Sequence, residues 1–267
     1  MKFSRFILSA ICLVISNLSS GQETNDIITI PVLFHVVFEN DEQKNINTDL
    51  IKKELNDLHD DFMMLNRDVI NVEPIFIKLI GNPRIKFILA ADHPSGGIIF
   101  IKKTKKGRFY KSSPVISPER YLNVYIGNIY NLFKTVGVVY SSTPWARPES
   151  DAIFLNYSNI GKGERLLTHE AGHWLGLLHI FQDRNRCKAK YDDGIVDTPW
   201  QKKASGDKSG CYVLNSFENT CDPLLPAMYN NFMDYSNCRY MFTKGQCELM
   251  RSNLKQYRPN MFNVAAL

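Results

Sequence analysis

Residues 169–179 read HEAGHWLGLLH. His169 and His173 are four positions apart, so on a helix they share one face and can grip one ion. Glu170 follows the first of them, within reach of a water on that ion. Gly176 lies three residues after His173, and His179 three after that. A glycine at that point lets the chain leave the helix through positive φ and turn sharply, which returns His179 as a third nitrogen ligand. Three protein ligands leave one tetrahedral position open, the arrangement of a catalytic rather than a structural zinc. An amphipathic core helix would explain Leu166, Leu167, Trp174, Leu175, Leu177 and Leu178. It would not explain three of the chain's six histidines at this spacing with an acid beside them.

The chain has 267 residues, 44% of them hydrophobic, enough for a full core in one domain. Its start, MKFSRFILSAICLVISNLSSGQ, has the form of a secretory signal: Lys2 and Arg5, then an apolar stretch from Phe6 to Ile15, then small residues at Ser19 and Gly21. The expected division is a signal peptide over 1–21 and a single catalytic domain over 22–267, hence a secreted, extracellular protein. The apolar run is too short to span a bilayer and no later segment is long enough, so no stable membrane insertion is expected. Without Lys2 and Arg5 the formal charge falls from +5 to +3. That mild balance, and the lack of aromatic interleaving around the Lys102–Arg108 cluster, argue against nucleic acid as a partner; the cluster reads as a solvated hairpin or loop.

Five cysteines remain after such cleavage, Cys187, Cys211, Cys221, Cys238 and Cys247, all downstream of the histidines. In a secreted chain they read as two disulfides and one cysteine left over, with Cys247, in an apparent helix, as the odd one. Upstream, residues 28–38 (ITIPVLFHVVF) suit a buried strand, within which His35 reads as a satisfied core or edge histidine. Asn47 or Thr48 can cap a helix running to about Asn66, with Leu50, Ile51, Leu55, Leu58, Phe62 and Leu65 as its apolar stripe. Further strands are expected at 85–91, 121–126 and 151–155, the last leading to the zinc helix through the loop Gly161–Gly163. Past His179 periodicity fades, and 180–242 reads as loops; a last helix is expected over about 243–256. The fold class expected is α/β (α+β): a mixed twisted sheet with helices in an upper lobe (about 22–176), over a loop-rich, disulfide-stapled lower lobe (about 177–267).

HEAGHWLGLLH resembles the long zinc motif of the metzincin metallopeptidases. IPVLFHVVF, DDFMMLNRD, YLNVYIG, DGIVDTP, NFMDYSNC and FTKGQCELM together resemble the pappalysin family, the peptidases like pregnancy-associated plasma protein A and its small microbial relatives. The resemblance spans about residues 28–255. It implies zinc on His169, His173 and His179, and Glu170 as general base and then general acid in peptide hydrolysis. It makes Met233 the Met-turn floor beneath the histidines. Tyr235 stands where some metzincins donate a phenol hydrogen bond to the oxyanion. It further implies a calcium loop at Asp192–Thr198, with side-chain oxygens from Asp193 and Thr198 and the carbonyls of Asp192 and Val196. The implied disulfides are Cys187–Cys221 and Cys211–Cys238.

The chain departs from the family in three ways. No cysteine lies between Gln22 and Arg186 to block the zinc. Asn237 precedes Cys238 where relatives that prefer a basic residue after the scissile bond tend to carry an acid, and an amide attracts Arg or Lys more weakly. Cys247 has no evident partner. The expectation is a monomeric secreted zinc endopeptidase acting on protein or peptide substrates, with Zn2+ and Ca2+. The alternatives are a catalytically idle, metal-stabilised binding protein or toxin subunit, and a peptidase confined to short peptides. Asn156-Tyr-Ser is a glycosylation sequon or an ordinary polar loop.

Overall fold

The computed structural model describes residues 26–39, 46–103, 112–129, 135–139, 148–181, 187, 192–206, 219–222 and 224–262. The expected signal segment, most of the Lys102–Arg108 cluster and Cys211 lie outside these residues.

The first strand, β1 (Ile28–Phe38), is central to the sheet. Its side chains alternate between two faces. Ile28, Ile30, Val32, Phe34 and Val36 enter the main core, whereas Leu33 and Val37 enter two smaller clusters on the other side. Burial on both faces is why the strand reads as an unbroken apolar run rather than an alternating one.

Helix α1 (Thr48–Met63) covers the main-core face with Ile51, Leu55, Leu58 and Phe62. Asn47 caps it, its side chain accepting from the Leu50 amide at 3.0 Å. The helix stops at Met64, whose φ of 55° is left-handed. This is shorter than the stripe predicted. Leu65 falls beyond the helix and is 58% exposed, so it is no part of the apolar face.

Seven more strands follow. They are β2 (Ile80–Gly81), β3 (Ile85–Leu89), β4 (Ile98–Lys102), β5 (Leu122–Gly127), β6 (Gly137–Val139), β7 (Ala152–Asn156) and β8 (Phe242–Thr243). The main sheet runs β3-β1-β5-β7-β6, with β4 also paired to β1. β3 pairs with the first half of β1 and β4 with the second, both parallel. Only β6 is antiparallel, lying against β7 through Gly137↔Leu155 to Val139↔Ile153. β2 and β8 form a separate antiparallel pair.

Parallel register places His35 beside Tyr125 and Tyr125 beside Phe154. Their rings stack, with centroids 4.3 Å and 4.9 Å apart. His35 is a satisfied core histidine, one of the two readings expected: Nε2 lies 2.9 Å from Asn123 Oδ1 and Nδ1 2.6 Å from Ser113 Oγ.

Helix α2 (Leu166–Trp174) carries the first two histidines and buries Leu167, Ala171 and Trp174 in the same core as α1. After it the described residues hold isolated bridges, with regular structure resuming at β8, α3 (Lys244–Tyr257) and the short α4 (Pro259–Phe262). Thr243 and Gln246 form a capping box at the start of α3. Asp197 adds to this cap, accepting from Thr243 Oγ1 at 2.7 Å and the Gly245 amide at 2.9 Å. Cys187 and Cys221 are bonded as expected. Cys238 is also in a disulfide, its expected partner Cys211 lying outside the described residues. Cys247 is free and buried. The glycosylation reading of Asn156 fits poorly, because its side chain is buried and bonded to Ser158 Oγ and the Ile129 amide.

Candidate metal centre

Both ends of α2 are built for what they hold. Arg165 enters the helix with φ 54°. Its guanidinium lies 2.9 Å from Asp68, 3.4 Å from Asp61 and 3.7 Å from Asp57. Asp61 also accepts from Thr168 Oγ1 at 2.6 Å, so α1 fixes the helix one residue before His169. At the other end Gly176 adopts φ 96°. Its amide reaches the His173 carbonyl at 2.9 Å, and the Leu177 amide reaches the Gly172 carbonyl at 3.0 Å, a Schellman closure. The glycine turn predicted from the sequence is therefore present, and it carries His179 back toward the helix.

The three histidines meet through their Nε2 atoms. The separations are 3.1 Å for His169–His173, 3.1 Å for His169–His179 and 3.0 Å for His173–His179. Two nitrogens each about 2.0–2.1 Å from one tetrahedral ion stand about 3.3 Å apart, so the triad is close to the span zinc requires. His169 Nδ1 lies 2.7 Å from the Phe232 carbonyl and His173 Nδ1 2.8 Å from the Leu177 carbonyl. A carbonyl only accepts, so each Nδ1 carries the proton and each Nε2 keeps its lone pair for a metal. Burial lowers the pKa of all three rings, that of His179 to about 3, which holds them neutral. Among the described residues this is the one cluster of three or more His, Cys, Asp or Glu with metal-ligand spacing.

Glu170 is buried beside the triad, and burial raises its pKa to about 8, opposed by the field of Arg239. Met233 is fully buried, with its sulfur against Gly172 of α2. A Cβ on Gly172 would stand 2.5 Å from its sulfur, so the glycine permits the approach. Tyr235 is 53% exposed, its ring centroid 4.8 Å from that of His179 and 5.4 Å from that of His169. Phe181, which the sequence did not single out, stacks on His179 at 4.6 Å and meets Tyr235 at 4.9 Å. Gly137, which lies against the Glu170 carboxylate, and Arg239, whose charge lowers the Glu170 pKa, were also missed; neither belongs to a motif.

The Asp192–Thr198 loop gathers oxygens. Thr198 Oγ1 lies 2.8 Å and 2.9 Å from the two Asp193 carboxylate oxygens and 2.9 Å from the Ile195 carbonyl. One hydroxyl proton cannot serve three acceptors. Burial raises the pKa of Asp193 to about 7 and also raises that of Asp192. The neighbouring carbonyl is that of Ile195, whereas the side chain of Val196 is fully exposed.

A histidine triad built from a helix and the glycine turn that ends it, over a buried methionine and under a mixed sheet, defines a metzincin-like metallopeptidase. Comparison with known proteins agrees. The Peptidase M43 family model, described as pregnancy-associated plasma protein-A, matches residues 113–255. An extracellular metalloprotease of Arthroderma benhamiae is 28% identical over 251 residues, covering 88% of this chain and 75% of that protein. One from Colletotrichum graminicola is 43% identical over 108 residues, 39% of this chain and 33% of that protein. Mature mirolysin of Tannerella forsythia, solved in complex with a cleaved peptide, superposes with a TM-score of 0.76 at 29% identity, covering 90% of this chain and 96% of that one. The chain belongs to the pappalysin (M43) family and is a zinc metalloprotease.

Proposed function

We propose that the protein is a secreted endopeptidase in which Glu170 moves the proton of peptide hydrolysis. The convergence of three histidine Nε2 atoms, those of His169 and His173 left free of protons by their Nδ1 hydrogen bonds, beside a buried carboxylate carries this reading. His169, His173 and His179 would hold zinc, which supplies Lewis acidity toward a peptide carbonyl and toward water. Glu170 takes the proton from the attacking water and passes it to the leaving nitrogen. Tyr235 stands at the exposed side of the triad, where its hydroxyl can donate to the oxygen that gains charge. The substrate lies extended and adds to β6, the antiparallel edge strand that ends the sheet next to β7.

Calcium is the second ion of this reading. The oxygens of Asp193, Thr198 and the Ile195 carbonyl supply part of the six to eight that it needs, and their crowding around one proton supports a cation there. Residues 1–21 serve as the export signal for one catalytic domain that works as a monomer outside the cell. The deciding experiment replaces Glu170 with Gln and assays cleavage of a denatured protein substrate. A loss of about 10²-fold or more is expected, with zinc still bound by metal analysis. Full activity in that variant would overturn the reading. Binding without any turnover in the wild type would favour an idle binding protein.

A further inference from the structure

The peptide unit between Phe232 and Met233 is held at both ends. Its carbonyl accepts from His169 Nδ1 at 2.7 Å, and its N–H donates to Asn231 Oδ1 at 2.9 Å. A trans peptide unit is planar, so its N–H and C=O point in opposite directions and can only turn together. Whatever fixes the N–H therefore aims the carbonyl, and the carbonyl aims the ring of the first metal ligand.

Asn231 is itself fixed. It and Gln246 of α3 are both fully buried, and their amides bond reciprocally. Asn231 Nδ2 donates to Gln246 Oε1 at 2.8 Å, and Gln246 Nε2 donates to Asn231 Oδ1 at 3.0 Å. Gln246 Oε1 also accepts from the Thr243 amide at 2.9 Å, within the capping box of α3. A backbone N–H only donates, so this bond determines which end of the Gln246 amide is oxygen. The reciprocal pair then orients Asn231 in turn, leaving its oxygen toward the Met233 amide.

A hydrogen-bonded path thus runs from the start of α3 through Gln246, Asn231 and one peptide unit to the imidazole of His169. Bonds in such a chain polarise one another. An acceptor on the Met233 N–H makes the Phe232 carbonyl a stronger acceptor, and a stronger acceptor at Nδ1 raises the basicity of Nε2. His173, by contrast, bonds the Leu177 carbonyl of its own turn.

We propose that Asn231 is a positioning residue for the metal centre. Through the Phe232–Met233 peptide it sets the direction and the donor strength of His169, and Gln246 holds it in place. The inference rests on the histidine triad holding zinc, as stated above.

The test is the zinc Kd, measured by competition with a chromogenic chelator in the Glu170→Gln protein to prevent self-cleavage. Asn231→Ala is expected to raise that Kd about tenfold to a hundredfold. The control for lost stability is Ile85→Ala, which empties buried space on β3, at the end of the sheet opposite β6. It is expected to keep the zinc Kd within about twofold, as a distant and independent site does. With cobalt as the probe, the visible absorption bands should shift in Asn231→Ala and not in Ile85→Ala. An unchanged zinc Kd or unshifted cobalt bands in Asn231→Ala would overturn the role of Asn231 alone, as would an equal weakening by Ile85→Ala. Failure of the parent protein to bind zinc would overturn the triad reading and this inference with it. If Asn231→Ala fails to fold, Gln246→Met decides. It leaves the Asn231 oxygen on the Met233 amide but releases the side chain, and a severalfold rise in zinc Kd is expected. No rise would overturn the proposal.

Discussion

Gly137, the first residue of β6, leaves the space that the Glu170 carboxylate fills: a Cβ there would stand 2.5 Å from Oε1 and 2.8 Å from Leu166 Cδ1. Gly137→Ala should push the carboxylate out of line while leaving the histidines untouched. A misplacement of about 1 Å can cost about 10²-fold in rate. The expected result is a fall in kcat of that order with full zinc content by metal analysis. Unchanged kcat would show that Glu170 works from another position.

The far end of α2 is held by a buried ion pair. Trp174 Nε1 donates to Asp151 Oδ1 at 2.8 Å, and Arg258 forks onto both oxygens of the same carboxylate while stacking 4.0 Å over the indole. Removing one member leaves the other charge buried without its partner, which costs about 3–5 kcal/mol. Arg258→Ala should lower stability by that amount, read by urea denaturation in a Glu170→Gln background to prevent self-cleavage. An unchanged midpoint would mean that Arg258, at the end of α3, does not secure the helix.

Stability should fall with acid through His35. Burial, aided slightly by His93 and opposed by the Asn123 hydrogen bond, lowers its pKa from 6.5 to about 4. The unfolded chain takes up a proton below pH 6.5, and the folded one resists until about pH 4. The neutral ring therefore contributes stability above pH 6.5 that is lost as pH falls toward 4, by roughly 3 kcal/mol. His35→Gln should flatten the dependence of stability on pH in that window, whatever it does to stability overall. A slope equal to that of wild type would place the acid sensitivity elsewhere.

Calcium at Asp193 should appear as thermal stabilisation. With zinc saturating in the Glu170→Gln protein, adding calcium to a hundred times its Kd should contribute about 2.7 kcal/mol. The transition temperature should rise accordingly, and Asp193→Ala should abolish the response. Equal responses in the two proteins would exclude this loop as the site.

Much of this architecture is written in short-range pattern. β1 and the cap of α1 follow from an apolar run and an Asn-Thr pair, and the glycine turn of Gly176 follows from its place between His173 and His179. What the pattern did not reveal is set by contacts distant along the chain. β4 has only partly buried or exposed side chains and takes its identity from pairing with β1. β6 has three residues, too few for any period, and is defined by β7. Leu65 matched the helical stripe, but the chain had already turned at Met64. The zinc ligands were legible because one helix and one turn determine them. Arg239 was not, since its surroundings come from Glu164 and Asp234, neither of which marks an arginine as special.

The His169 ring is oriented by the carbonyl of Phe232, 63 residues further along the chain. A nascent or partly exported polypeptide can contain all three histidines and still lack the group that points the first of them at the metal. Proteolytic competence thus arrives late in the life of each molecule, after its last quarter has docked. Translation order itself delays the onset of cleavage while the chain is still inside the cell that makes it.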